Sequence, residues 1–517
     1  MKSQLALLLA ASYASRSYAD RAIFITPSQL QSEPTAQSLQ KQHDCLNDAF
    51  YGRYGRPLRD VYIVSPECAI QAAGLKASGS MAYLEDEEAE LMGEERHLVW
   101  LQDAGVDDSL RVDEDPVLSD MSIVPKLLDL AEMKSRSEVG RGFVIQEGGP
   151  QRTIPKASES KLHYLDKNSA LISIPSSRLA TLDTFLPRFV VPIVLPATPL
   201  PSSVAASPKP VDPHAVARIQ DIIANLKFNP SIAAILSSLS TERMAKDARW
   251  LTAENSDSEI LSRHSFTDGA KAAAEWIQGE IEKSGAVCEL RPFRLGFAPN
   301  VICRYPSTVN TTGTTILSAH YDSRGSFGSL RAPGGDDDGS GTTHVLAIAR
   351  LIKEKKITFK SRVELVLFAG EEQGLVGSRA YSAQLRQANA NITLHMQADM
   401  LAFRSPKEPL QLGLPDLIGL PEAAYLVANI SKLYAPELTV GYTSACCSDH
   451  QSFWEQGFPA TQVFERAGPI IDPMYHNSGD LTNRTGYDFN QLLSITKVTF
   501  ATVLETAGFD IVPVEAE

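Results

Sequence analysis

Long apolar runs and positive charge are both scarce in this sequence. After the first 19 residues, no run approaches the roughly 18 apolar residues that a membrane span needs. The 517 residues include 48 Lys and Arg against 62 Asp and Glu, which gives a formal net charge of −14. Phosphate contacts need a basic face, so this acidic balance argues against nucleic-acid partners. We therefore expect no membrane span and no nucleic-acid partner.

Familiar catalytic motifs are also missing. None of the ten histidines belongs to a His-Glu-x-x-His sequence, which excludes a single-zinc protease built on such a helix. The sequence has no Gly-x-Ser-x-Gly elbow, no Walker loop and no dinucleotide-binding fingerprint. Any catalytic chemistry must therefore come from another arrangement of side chains.

The first 19 residues have the pattern of a secretory signal peptide. Lys2 supplies a positive start, residues 5–11 are apolar, and Ser17-Tyr18-Ala19 is a small-x-small cleavage site. A buried N-terminal strand or helix is the alternative interpretation. We expect an exported protein, either extracellular or directed to a vacuole.

Export affects how the six cysteines and the glycosylation sequences are interpreted. An even number of cysteines in an oxidising compartment favours disulfides. Cys288 and Cys303 lie in two β-like runs that could pair as neighbouring strands, and the sequence leaves the disulfide connectivity open. The remaining candidates are Cys45, Cys68 and the adjacent Cys446 and Cys447. Four Asn-x-Ser/Thr sequences predict glycosylation at Asn310, Asn391, Asn429 and Asn483.

A change of composition divides the chain. Residues 196–213 contain six prolines and are typical of a semi-rigid linker. We expect a signal peptide at 1–19, an N-terminal domain at 20–195 and a catalytic domain at 214–517. The N-terminal domain is predicted to be small and of the α+β class. It is either a pro-segment that contacts the catalytic domain and is later removed, or a permanent domain.

Strand and helix patterns alternate after the linker. Strands are predicted at 315–319, 362–369, 393–398 and 461–465, with helices of about 10 to 15 residues between them. Such alternation indicates an α/β fold with a largely parallel sheet. We expect a three-layer αβα domain with a mostly parallel mixed sheet. Catalytic residues in such folds cluster at the carboxyl ends of the strands.

Metal-binding residue types follow these strands. A histidine or carboxylate comes after three of the four strands, and two nearby loops add an Asp-rich run and a second histidine. Each residue alone has an ordinary structural explanation, but five of them in one domain suit two zinc ions sharing a carboxylate. A calcium site would use more oxygens and no histidine. The histidines and carboxylates at these strand ends and loops are His320, Asp322, Asp336, Asp337, Asp338, Glu371, Glu372, Asp399 and His476.

Six segments, in order and spacing, resemble the co-catalytic zinc aminopeptidases of clan MH. This family includes secreted bacterial and fungal leucine aminopeptidases and aminopeptidase Y. The segments are HYDS, APGGDDDGSG, AGEEQGLVGS, Asp399-Met400, CSDHQSFWEQGFPATQVFE and YHNSGD, and the resemblance covers about residues 215–507.

The resemblance implies a role for each matching residue. His320 and Asp399 would hold one zinc ion, Glu372 and His476 the other, and Asp337 would bridge them. Asp338 would follow Asp337 through a cis peptide, and Asp322 would orient His320. Glu371 would be the general base, and Tyr475 would bind the substrate carbonyl. The implied substrates are peptides with a free N-terminus.

Two positions depart from the family pattern, and three alternative functions stay open. Thr443 and Ala445 replace a Cys and a Tyr found in some relatives, so leucine preference does not follow. His450 is expected to be structural or to support the site, and His344 to be a core residue. The alternatives are a glutaminyl cyclase, another hydrolase on the same scaffold, such as a dipeptidase or carboxypeptidase-like enzyme, and a non-catalytic ectodomain.

Overall fold

The computed structural model describes residues 21–28, 44–55, 57–72, 79–84, 96–111, 121–129, 160–200, 209–326, 329–445 and 447–512. The predicted signal peptide and Cys446 lie outside these residues. Contacts divide the chain into two units. Unit 1 takes the described residues within Met1–Asp103, Asp115–Leu186 and Val190–Ser207. Unit 2 takes those within Ala104–Glu114, Pro187–Phe189 and Pro208–Glu517.

Unit 1 contains two antiparallel sheets. The first has the order β2-β3-β1-β4 and the second β6-β7-β5-β8. Short helices accompany them, among them α1 (Pro66–Gln71) and α2 (Ser176–Leu179). The strands are β1 (Ala22–Pro27), β2 (Phe50–Tyr54), β3 (Arg59–Val64), β4 (Ser80–Tyr83), β5 (Arg96–Asp103), β6 (Lys161–Leu165), β7 (Ser169–Pro175) and β8 (Val190–Val194).

Unit 2 is built on a six-stranded sheet of order β17-β14-β11-β13-β10-β9. Strands β17, β14, β11 and β13 are parallel, and β10 and β9 join as antiparallel strands. Two pairs lie outside this sheet, the antiparallel β12-β18 and the parallel β15-β16. The strands are β9 (Val287–Arg291), β10 (Asn300–Tyr305), β11 (Thr314–His320), β12 (Ile357–Phe359), β13 (Arg362–Phe368), β14 (Ile392–Ala398), β15 (Gln411–Pro415), β16 (Thr439–Thr443), β17 (Ala460–Val463) and β18 (Phe509–Ile511).

Side chains alternate between the two faces of the large sheet. Leu317 and Leu365 contribute to one core cluster, whereas their neighbours Ile316 and Val366 contribute to another. Both faces of the sheet are buried, and the strands are rich in apolar residues on both faces, as expected for a parallel sheet between helices. The predicted three-layer fold with a mostly parallel sheet is confirmed. The helices are α3 (Pro213–Asn225), α4 (Pro230–Leu236), α5 (Thr241–Leu251), α6 (Asp268–Glu282), α7 (Gly339–Glu354), α8 (Val376–Gln387), α9 (Pro421–Tyr434), α10 (His450–Glu455) and α11 (Phe489–Ala507).

Two disulfides join cysteines of the described residues. Cys288 on β9 is bonded to Cys303 on β10, and these two strands are neighbours in the sheet, a pairing that the sequence analysis considered. Cys45 is bonded to Cys68 in unit 1. Cys447 is also disulfide-bonded. In the described part of the chain, no helix is both long and apolar enough to cross a membrane.

Candidate metal centre

The parallel strands bring three of the predicted ligand positions to one edge of the sheet. His320 is the last residue of β11, and Asp399 directly follows β14. Glu371 and Glu372 lie in the turn between β13 and α8. Because β11 pairs in parallel with both β13 and β14, their carboxyl ends meet at the same edge.

Asp338 fixes the loop that precedes α7. Its Oδ1 accepts hydrogen bonds from the amides of Gly341 at 2.9 Å and Met400 at 3.2 Å, and its Oδ2 accepts one from the amide of His320 at 3.1 Å. Asp338 is the N-cap of α7, which begins at Gly339. The Asp337–Asp338 peptide is cis, as the resemblance implied.

Five side chains form two groups with metal-binding geometry. His320, Asp337 and Asp399 make one group, and Asp337, Glu372 and His476 make the other. In each group one ligand atom per residue lies within 4.8 Å of the others, and all five residues are buried. Asp337 belongs to both groups.

The two oxygens of Asp337 face different histidines. Oδ1 lies 3.2 Å from Nε2 of His320, and Oδ2 lies 3.4 Å from Nε2 of His476. His320 Nε2 is also 3.7 Å from Asp399 Oδ1, and His476 Nε2 is 3.1 Å from Glu372 Oε2. A carboxylate placed between two imidazoles in this way is suited to bridging two ions.

Asp322 lies behind His320 and connects it to the turn of the two glutamates. Its Oδ1 is 3.5 Å from His320 Nδ1, and its backbone oxygen is 3.2 Å from the same nitrogen. The Asp322 carboxylate also accepts hydrogen bonds from the amides of Glu371 at 3.3 Å and Glu372 at 3.4 Å, and from Ser265 Oγ at 2.8 Å. Asp322 therefore positions both His320 and the turn that carries the two glutamates.

The charge around His320 favours its protonated form in the metal-free protein. Burial lowers the pKa of His320, but the carboxylates of Glu371, Asp322 and Asp337 raise it, and the net shift is well above the usual value. A metal ion needs the unprotonated nitrogen, so binding at His320 would release a proton.

Glu371 lies beside the two groups without belonging to either. Its Oε2 is 4.0 Å from His320 Nε2, and its side chain is 14% exposed. Burial raises the pKa of Glu371 well above its ordinary value, and the charges of Asp399 and Asp449 add to this, while His320 opposes it. The geometry leaves Glu371 able to reach a small molecule held between the groups.

The loop that carries His476 is held by residues that the sequence analysis did not identify. Asp480 accepts hydrogen bonds at 3.0 Å from the amides of Asp336 and Asp337. Arg484 bonds Asp480 at 2.9 Å and Asp472 at 2.8 Å. The position of Asp480 at the end of YHNSGD was the available signal, but its link to the Asp-rich loop requires the fold.

Tyr475 stacks on His476 and is half-buried. The ring centroids are 3.7 Å apart with an interplanar angle of 22°. Tyr475 packs with an apolar cluster made of Met400, Ala445, Phe464 and Ile470. This cluster, which we call the apolar wall, includes Met400, the neighbour of Asp399 in the chain, and it packs against Tyr475, the neighbour of His476.

The other predicted residues are distributed as follows. His344 is fully buried in α7, as expected for a core residue, and His450 is fully buried at the start of α10. The sequon residues Asn310, Asn391 and Asn483 are exposed, and Asn429 is half-buried.

Comparisons with known proteins indicate a family and a fold. The model of peptidase family M28 matches residues 300–501. A probable leucine aminopeptidase of Arthroderma otae is 30% identical over 292 residues, covering 53% of this chain and 75% of the relative. Leucine aminopeptidase 1 of Sclerotinia sclerotiorum is 28% identical over 297 residues, covering 53% and 73%. Among solved structures, the LapA aminopeptidase of Legionella pneumophila has a TM-score of 0.56 at 18% identity, covering 80% of this chain and 98% of that one.

Proposed function

The chain belongs to peptidase family M28, and from that premise we propose that it is a zinc-dependent aminopeptidase that removes N-terminal residues from peptides. The observation that carries the proposal is the sharing of Asp337 between two groups of metal-binding side chains. The relatives named leucine aminopeptidases support the direction of cleavage.

The donor set fits two zinc ions. Two imidazole nitrogens and three carboxylates are ligands that zinc accepts, and five protein ligands exceed what one tetrahedral ion needs. We assign His320 and Asp399 to one ion, Glu372 and His476 to the other, and Asp337 to both. Zinc ions bound there would lower the pKa of water and withdraw electron density from a carbonyl group.

Glu371 is the proposed general base. It would take a proton from the attacking water and deliver it to the leaving amine, while the ligands remain in place. Asp322 supports this role because it holds the amide of Glu371 and faces Nδ1 of His320. The Asp322 carboxylate would thereby help to position both the general base Glu371 and the proposed ligand His320.

Tyr475 is proposed to donate a hydrogen bond to the substrate carbonyl oxygen. Burial, with the charge of Asp337 and Glu372, holds the pKa of its hydroxyl well above the ordinary value, so the group keeps its proton at neutral pH. A protonated phenol beside the ligands can stabilise negative charge as it develops on that oxygen.

The apolar wall and the excess of carboxylates suggest how the substrate binds. Ile470, the partly exposed residue of the apolar wall, and Tyr475, which packs against it, would contact the side chain of the N-terminal residue. The carboxylates around the centre favour a free α-ammonium group, which would restrict cleavage to N-termini. We therefore expect a preference for apolar N-terminal residues.

Secretion and processing belong to the same proposal. The pattern of residues 1–19 supports export, and the sequons support passage through a glycosylating compartment. Whether the N-terminal domain is removed at the proline-rich linker is tested by mass spectrometry of the secreted protein. A mature N-terminus within 196–213 would support a pro-segment, and one at Asp20 would contradict it.

A panel of aminoacyl amides, assayed with and without chelator, tests the proposed reaction. We expect cleavage that is lost with chelator and restored by zinc, together with two zinc ions per chain by elemental analysis. One zinc ion per chain, with cyclisation of N-terminal glutamine and no amide cleavage, would instead indicate a glutaminyl cyclase.

A further inference from the structure

One fully buried arginine lies beside the metal centre and has no role in the reaction described above. Arg263, in the segment between α5 and α6, has none of its surface exposed. Burying a guanidinium is costly unless its donors are satisfied. Its partners therefore indicate what the charge is used for.

The guanidinium of Arg263 donates hydrogen bonds to three separate segments of backbone. Nε bonds the carbonyl oxygen of Tyr321 at 2.8 Å, and Nη1 bonds that of Leu251 at 2.9 Å. On the third segment, Nη1 bonds the carbonyl oxygen of Pro333 and Nη2 that of Gly334 at 2.8 Å.

Two of these segments carry metal ligands. Tyr321 directly follows His320, and Gly334 lies three residues before Asp337 in the same loop. The third segment is the C-terminus of α5, which anchors the guanidinium to the helical layer. Arg263 therefore connects the backbone on the His320 side of the centre to the backbone on the Asp337 side.

The loop is packed too closely at Gly334, next to Arg263, for any residue larger than glycine. Gly334 has a φ of +52°, and a Cβ at this position would lie 3.0 Å from Nη2 of Arg263 and 2.4 Å from Cβ of Ser323. The same position would also meet the backbone oxygen of Asp337 at 2.4 Å. The close contact is therefore built into the loop sequence.

The charge of Arg263 also has a consequence for the acidic residues around it. Asp480, Asp338, Asp322 and Asp337 attract the guanidinium through Coulomb interaction, although its hydrogen bonds go to carbonyl groups. Burial lowers the pKa of Arg263 to about 10, so it stays charged at neutral pH. A fixed positive charge reduces the mutual repulsion of these carboxylates when no metal ion is bound.

We propose that Arg263 is a positioning residue that holds the His320 and Asp337 segments at their ligand-binding separation before any metal ion binds. The inference rests on the proposed function only in taking the two side-chain groups as metal sites. It requires no particular substrate. A lysine could not replace the arginine, because a single ammonium group cannot donate hydrogen bonds to carbonyl groups on three sides, whereas the planar guanidinium can.

Hydrogen exchange of the wild-type protein tests the proposal without a substitution. Backbone amides at both segments are hydrogen-bonded, including Tyr321 to Phe368, Ala332 to Leu261 and Gly339 to Gly334. After zinc removal by chelator, we expect peptides covering 319–324 and 331–341 to keep the protection measured with zinc. If both peptides lost their protection on zinc removal, the metal ions would be organising these segments, and the proposal would be wrong.

The variants Arg263→Lys and Arg263→Met test the same role, with Arg350→Met as the matched control. Arg350 connects α5, α6 and α7 through Asp247 and Glu280, so its loss removes comparable interhelical contacts. We expect the Arg263 variants to bind zinc at least tenfold more weakly in competition with a chromogenic chelator. We also expect an altered visible spectrum after cobalt substitution, and no such changes in Arg350→Met.

Two outcomes decide between positioning and a purely structural role. Wild-type zinc affinity and cobalt spectrum in Arg263→Lys would overturn the proposal, whatever the change in stability. If both Arg263 variants fail to fold, the exchange experiment on the wild-type protein decides alone. Because neither readout uses peptide cleavage, an inactive protein with the expected zinc and exchange results would contradict the proposed function and leave this inference standing.

Discussion

At the residue scale, the centre separates side chains that would hold metal from side chains that would move protons. Glu371 and Glu372 are adjacent, yet only Glu372 belongs to a ligand group. The turn after β13 directs them differently, with both amides held by Asp322. This separation allows the two roles to be tested independently.

Glu371→Gln should abolish most catalysis while leaving the ligands intact. A general base typically contributes on the order of 10²- to 10⁴-fold to the rate, and Gln keeps the size without the basicity. We expect kcat to fall by that factor and the zinc content to stay unchanged, measured by aminoacyl-amide hydrolysis and elemental analysis. Glu275→Gln, on the exposed face of α6, is the control. If Glu371→Gln retained wild-type hydrolysis, the result would contradict the proposed mechanism.

Asp322→Asn should weaken metal binding and activity together. Loss of a carboxylate that orients a ligating histidine typically costs about 10- to 100-fold in metal affinity or activity. We expect the Asn variant to bind zinc more weakly by chelator competition. If the zinc affinity were unchanged and the activity lower, Asp322 would position only the turn that carries Glu371, and not His320.

At the element scale, the sequence predicted the elements with strong periodicity and missed the rest. The central strands were predicted to within a few residues, and the alternation of helices with them was predicted, because the apolar residues of these elements follow a clear pattern. Helix α5 was missed although Ser240 caps it, since the sequence from Thr241 to Leu251 is mostly polar. Strands β15 and β16 were missed because each is short and contains a glycine at its centre.

Some of the candidate metal-binding residues could be found from the sequence, whereas the residues that support them could not. His320 and Asp399 follow strands, so a parallel sheet brings them together. Asp480 and Arg263 act through backbone groups far away in the sequence, and no spacing rule connects them with Asp337. Such contacts are defined only when loops fold against each other.

The free energy of unfolding of unit 2 should decrease in mild acid because of His344, which is buried in α7. Burial lowers the pKa of this histidine from 6.5 to about 4, so the folded state holds the neutral form. The unfolded chain binds a proton as pH falls below 6.5, and the folded protein does so only near 4. The associated stability is therefore present above 6.5 and lost towards 4, by up to about 3 kcal/mol.

Chemical denaturation of wild type and His344→Gln at several pH values measures this effect. We expect the free energy of unfolding to decline less between pH 6.5 and 4 in the variant. Parallel pH curves for the two proteins would contradict the assignment of this pH dependence to His344.

The disulfide between β9 and β10 should contribute stability without affecting catalysis. It spans 15 positions of sequence, and closing a loop of that size is worth about 3 kcal/mol in the chain-entropy model. We expect the double variant Cys288→Ser, Cys303→Ser to have a lower unfolding temperature and an unchanged KM. A changed KM would mean that the sheet edge influences the site.

At the scale of the whole molecule, metal binding and folding should be coupled. Ligands that bind only the folded state stabilise it, by about 4 kcal/mol when the free ligand exceeds Kd a thousandfold. We expect chelator to lower the unfolding temperature and zinc to restore it. Glu371→Gln should show the same shift, since it keeps every ligand, whereas Asp337→Ala should show little or none.

The cross-linked pair of strands also ends the large sheet, and this position has a consequence for behaviour at high concentration. β9 is the last strand at its side of the sheet in the described chain, and it carries Glu289 and Arg291, with Glu289 also paired to Arg304. Charged side chains on an edge strand discourage a strand of another molecule from adding to it. The disulfide to β10 also keeps β9 from separating from the sheet. Reduction of this one disulfide should therefore make the folded protein prone to edge-to-edge aggregation well before it loses its active centre.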